Sequence, residues 1–142
     1  MNLYILSISL AIIANIMYHI IQKSTPSKVN PVLSLIVTYF IAFIFSILIY
    51  FFYPAKANLF TALKELNWAS YALGFAIVGL ELGFLLAYRA GWNMSIGVIT
   101  CNVIVTIFLI PIGIILFAEK ISLLSVIGIF LCLVGLYLIS YK

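Results

Sequence analysis

Only three acidic residues occur in the 142-residue chain, and one of them, Glu81, lies inside the apolar run GLELGFLLAYR at 79–89. Placing a charge at the centre of a membrane helix costs about 2.5–3.5 kcal/mol on insertion scales, so intramembrane carboxylates are rare, face the protein interior and by default mark function. Two such functions are open to Glu81: exchange of a proton and attraction of a cationic substrate. The structural alternative is a neutral Glu81 donating one hydrogen bond. Helical spacing puts Ser70, Gly74, Glu81 and Tyr88 on one face. Gly79 and Gly83 fall on the opposite face as a small-xxx-small pair that lets another helix approach.

The other polar residues within apolar runs also form a pattern. When the runs are threaded alternately across a bilayer, Asn15, Thr38, Glu81 and Asn102 all lie roughly two-thirds of the way from the face that holds the N-terminus, at about 1.5 Å per residue. Thr106 stands one turn from Asn102, on the same side and nearer the midplane. Polar groups at one level suit a substrate chamber. Asn and Thr also simply hydrogen-bond neighbouring helices, typically for well under about 2 kcal/mol each, and both readings stand. His19, the only histidine, suits an interfacial hydrogen bond or a proton relay. Arg89, about 12 Å beyond Glu81 along the helix axis, reads as an interfacial anchor rather than its partner.

Enzymatic chemistry finds little support. The chain has no Asp, one His, and no Ser–His–acid or metal-ligand set, and one carboxylate rarely serves as both acid and base. No catalytic residue, metal or cofactor is expected. Cys101 and Cys132 show no ligand or redox spacing and read as small buried hydrophobes.

The elements that must position these residues follow from composition. The chain is 67% hydrophobic and 7% charged, against roughly a quarter charged in an ordinary soluble domain, so the bilayer is its expected solvent. Five runs approach the ~20 apolar residues of a membrane-crossing helix: about 3–22, 31–53, 68–89, 95–117 and 121–141. The start, MNLYILSISL, lacks a basic n-region and a small-residue cleavage site and reads as the first span. QKSTPSKVNP (22–31) is a polar turn. PAKANLFTALKELNW (54–68) has room for a short interfacial helix with Leu59, Leu63 and Leu66 on one side and Lys56 and Lys64 toward the headgroups. AEKIS (118–122) is short enough to force an antiparallel hairpin. Pro111 removes a backbone hydrogen bond from the fourth span, as a hinge or as a shape the packing requires.

Charge leaves orientation open. Seven basic residues give a net charge of +4, too dispersed for nucleic acid. Lys56, Lys64 and Lys120 fall on one face, and Lys23, Lys28, Arg89 and Lys142 on the other. Orientation follows a Lys/Arg excess in cytoplasmic loops, which here is nearly absent, so single and dual insertion both remain. Ser125, Gly128, Cys132 and Gly135 form a small-residue seam on the fifth span, for a helix of the same chain or for a second subunit.

The stretch PIGIILFAEKISLLSVIGIFLCLVGLYLIS (111–140) resembles the closing hairpin of an EamA-type domain of the drug/metabolite transporter superfamily, through Pro111, the Glu119-Lys120-Ile121-Ser122 turn and the Gly128/Gly135 spacing. GLELGFLLAYRAGWNMS is similar to the third span of single-repeat members. The resemblance implies an all-α integral membrane protein, one five-span domain over 1–142, forming half of an inverted-repeat transporter. It implies secondary transport, often export, of a small metabolite or drug-like molecule by a multi-pass protein of the cell membrane. The expected partners are the substrate, the lipid bilayer and a second copy of the chain, inserted antiparallel and coupled to protons. The family supplies no fixed residue to carry over, so Glu81, Asn15, Thr38, Asn102, Thr106 and Tyr88 rest on depth and face alone. The alternative function is a non-transporting small subunit that pairs with a different membrane protein.

Overall fold

A computed structural model describes residues 3–52 and 59–140, with residues 59, 60, 139 and 140 by backbone alone. The described residues are helical throughout, joined by short turns: α1 (Leu3–Ser24), α2 (Pro31–Phe52), α3 (Leu59–Lys64), α4 (Trp68–Arg89), α5 (Met94–Phe117) and α6 (Leu123–Ser140). Helices are what hydrocarbon demands, because every backbone N–H and C=O must be satisfied without water. Among the described residues, α1, α2, α4 and α5 are long and apolar enough to cross a membrane. The described apolar stretch of α6, Leu123–Leu138, is shorter. The expected spans end within one or two residues of the helices found.

The helix ends have local causes. Asn30 caps α2: its side-chain oxygen accepts the N–H of Val32 at 2.9 Å and of Leu33 at 3.3 Å. Pro31 follows as the first helical residue, where its missing N–H costs nothing. Asn67 caps α4 by accepting from Ala69 at 3.0 Å. Arg89 closes α4, and Gly91 takes φ +96°, a conformation natural to glycine alone. α5 runs through Pro111 without a break and ends at Ala118 in the left-handed region, where the N–H groups of Ala118 and Glu119 both donate to the Gly113 carbonyl. Ser122 caps α6 by accepting from the Ser125 N–H at 3.1 Å.

The chain divides into two compact units, residues 1–90 and 91–142. In the first, α4 packs against both α1 and α2; in the second, α5 packs against α6. A short helix, α3, stands where one was expected, but Leu66 lies beyond its end and Lys56 falls outside the described residues. Little is buried within the chain: each long helix hides only 6–11% of its apolar window, which leaves broad faces for lipid or another subunit. That openness corrects the reading of the cysteines. Cys101 is half-buried and Cys132 exposed, because the seam face of α6 meets little inside its own unit. A methyl group added at Gly79, Gly83, Gly128 or Gly135 would meet nothing within 4 Å.

The Asn30 cap gives a stability test. Asn30→Ala leaves two N–H groups of α2 without an acceptor and should cost about 1 kcal/mol, read as a lower unfolding midpoint in detergent. Asn30→Asp should restore most of the loss. Equal midpoints for wild type and Asn30→Ala would deny the cap any role.

Candidate functional site

In the first unit the buried polar residues gather at one place. Among the described residues, the buried polar or charged ones are His19, Gln22 and Glu81, and the buried apolar or aromatic ones are Leu35, Leu85 and Tyr88. All belong to α1, α2 and α4. Polar and apolar side chains thus share the core of this unit in equal number.

Glu81, Leu85 and Tyr88 are one helical turn apart on α4 and present one edge to α1. His19 and Gln22 do the same from α1. The Gln22 side-chain amide donates to the Glu81 backbone carbonyl at 2.8 Å. The Tyr88 hydroxyl and His19 Nδ1 lie 2.9 Å apart in a buried hydrogen bond whose direction depends on the histidine tautomer. Phe84 wedges into the same contact: its ring centre is 4.7 Å from that of His19 and 6.4 Å from that of Tyr18, both edge-on, the favourable arrangement for aromatic rings. Tyr18 and Tyr39 bring hydroxyls from α1 and α2. Neither makes a hydrogen bond of good geometry, and the Glu81 carboxyl is close enough to act electrostatically on both. A carboxyl bordered by two phenols, with an imidazole and an amide beside it, can bind a cation, accept hydrogen bonds from a polar ligand, or pass a proton.

The expected site residues divide. Glu81 and Tyr88 are buried together in this cluster. Asn15 and Thr38 belong to the same unit but are exposed. Asn102 and Thr106 lie in the second unit, where the Thr106 hydroxyl donates to the Asn102 backbone carbonyl at 2.7 Å. With Val103, Ile129 and Cys132 they line a cleft of about 130 Å³ between α5 and α6. Ser70 and Gly74 share the helical face of Glu81 but are exposed, since the contact with α1 covers only the later half of α4.

Gln22 and the partner of His19 went unread in the sequence. The signal was there: Asn15, His19 and Gln22 are spaced i, i+4, i+7 and make a polar stripe along α1. Arg89, read as an anchor, donates from its two terminal nitrogens to the carbonyls of Val29 at 2.8 Å and Pro26 at 3.1 Å. It therefore fastens the end of α4 to the α1–α2 turn.

A sequence model of the EamA-like transporter family covers residues 2–141. No curated protein and no solved structure matches the chain significantly.

The His19–Tyr88 bond predicts a coupling. Interhelical hydrogen bonds in membranes average about 0.6 kcal/mol and reach about 1.7 kcal/mol. A double-mutant cycle with Tyr88→Phe and His19→Phe should return a favourable coupling in that range when unfolding in detergent or bicelles is measured. Strictly additive effects would mean that the bond holds nothing together.

Proposed function

The chain belongs to the EamA-like transporter family, membrane transporters of the drug/metabolite transporter superfamily, and from that premise we propose that it is a half-sized secondary transporter. It is an integral, multi-pass membrane protein. In the proposed mechanism it works in the cell membrane as a homodimer of two oppositely inserted copies and exports a small polar metabolite past Glu81, with protons competing for the carboxyl. α6 acts as the fifth span. Its 18 residues rise about 27 Å, close to the ~30 Å of hydrocarbon.

One observation carries the reading: half of the buried side chains described in the first unit are polar or charged, with Glu81 among them. A folding core in lipid has no need of a carboxylate, and a pathway for a polar solute does. The tyrosine hydroxyls beside Glu81 can take over hydrogen bonds from a substrate as its water is stripped. Asn15 and Thr38, exposed on their own helices, remain available to the pathway once a second copy closes over them. Asn102 and Thr106 offer a second, separate polar cleft. Inverted pairing supplies the missing half of a repeat-built transporter, and the three-to-four split of basic residues between the two faces sets no strong preference against it. The open glycine faces of α4 and α6, with Ser125, Gly128, Cys132 and Gly135 on the latter, support a close helix contact between copies.

Reconstitution tests this. Liposomes containing the purified protein, challenged with labelled amines, amino acids and sugars across a pH gradient, should accumulate at least one of them. Glu81→Gln, which keeps shape and removes the titratable group, should reduce uptake to that of empty liposomes. Gly128→Leu should lower the dimer fraction. Undiminished transport with unchanged pH dependence in Glu81→Gln would remove Glu81 from the mechanism. Transport only after addition of a second, different membrane protein would favour the alternative of a pairing subunit.

A further inference from the structure

The first unit has a second polar feature, which adjoins the Glu81 cluster and shares Gln22, Leu85 and Tyr88 with it. A cleft of about 150 Å³ opens where α1 ends and α4 ends, lined by Gln22, Lys23, Thr25, Ser27, Leu85, Tyr88 and Arg89. Its lining holds two cations, three hydroxyls and an amide, and no carboxylate. Lys23 is held with its ammonium 5.4 Å from the centre of the Tyr88 ring, a cation–π contact. Arg89 is held by the carbonyls of Val29 and Pro26, and its Nε is buried without a hydrogen-bond partner. These contacts orient the two cations. The acids described in this unit are elsewhere: Glu65 precedes α4 at its opposite end, and Glu81 lies about 12 Å down the helix from Arg89.

We propose that this cleft is an anion site that takes a phosphate group, either the headgroup of an anionic lipid or a free phosphate. Its position fits. Ser24 and Arg89 are the last residues of their helices, which places the cleft at the headgroup level, where basic pockets between transmembrane helices bind anionic lipid heads. The guanidinium and ammonium supply charge. Thr25 and Ser27 supply hydroxyl donors from the turn, and the Gln22 amide, already bonded to the Glu81 carbonyl, closes the floor. Occupancy would tie the α1–α2 turn to α4 through the ligand, in addition to the direct Arg89 bonds.

The full chain tests this in two settings: nanodiscs of phosphatidylcholine with and without phosphatidylglycerol, with retained lipid read by native mass spectrometry, and detergent solution titrated with inorganic phosphate by calorimetry. Phosphatidylglycerol retained over phosphatidylcholine identifies a lipid headgroup; saturable binding of inorganic phosphate identifies a free anion. Either supports the site. Lys23→Gln should weaken binding about fivefold, the contribution of one cation near an anionic head. Lys23→Arg should keep it. Ser27→Asp, on an exposed turn residue, should abolish it by placing a negative charge in the cleft. Lys28→Gln, on the same turn but outside the lining, should leave it unaltered. Equal weakening by Lys28→Gln and Lys23→Gln would reduce the effect to diffuse surface charge. Absence of binding by both phosphatidylglycerol and inorganic phosphate would overturn the proposal.

Discussion

A polar side chain in hydrocarbon must find a polar partner inside the protein, and the first unit is organised around that requirement. Every buried polar side chain among the described residues stands at the contact of α1 with α4. The stability these contacts return is modest. Two interhelical hydrogen bonds, Gln22 to Glu81 and Tyr88 with His19, return about 0.6 kcal/mol each at the membrane average. A charged carboxylate near the centre of a span costs about 3 kcal/mol to insert. Apolar residues packed as Leu35 and Leu85 are would hold the three helices together at lower cost.

The two units answer the same solvent differently. In the first, a buried polar seam holds α1 to α4, and Arg89 fastens the far end to the α1–α2 turn. In the second, the apolar pair α5 and α6 meets through a hairpin whose turn does the work: Ala118 and Glu119 satisfy the Gly113 carbonyl, and Ser122 starts α6. Gly113 is the buried residue described in that unit, and the Glu119 side chain lies against it, where a side chain on residue 113 would collide. Glu119 thus helps to build the turn. Both units leave most of their apolar surface uncovered, as membrane helices do when lipid or a second subunit is their neighbour.

The helices were legible because each is an apolar run close to membrane-crossing length, set off by polar breaks such as QKSTPSKVNP (22–31) and AEKIS (118–122); the caps at Asn30 and Asn67 and the glycine turn at Gly91 went unread. That Glu81 and Tyr88 share one face of α4 was legible too, since two turns of helix put them on one line. The cross-helix partners were not. Depth counted by residue number set Glu81 level with Asn15, yet the α1 side chain bonded at Glu81 is that of Gln22. In a helix, side chains lean back toward the N-terminus. Gln22 reaches down to the Glu81 carbonyl, and Tyr88 reaches down to His19, so contacts fall a turn or more away from where backbone depth places them. Where the helices touch along their length decides the rest. α1 is buried near its end, so His19 and Gln22 are covered while Asn15, on the same stripe, is exposed, and a single sequence does not specify where two helices meet.

The account stands or falls on whether water reaches the carboxyl position on α4. In protein with Cys101 and Cys132 replaced by serine, Glu81→Cys and Ile77→Cys would each be exposed in proteoliposomes to a membrane-impermeant cationic methanethiosulfonate reagent, with Ile77, an exposed apolar position on the same helix, as the lipid-facing comparison. A water-lined polar site predicts ready modification at position 81 and almost none at position 77. Modification at neither position, or at 77 as fast as at 81, would contradict it.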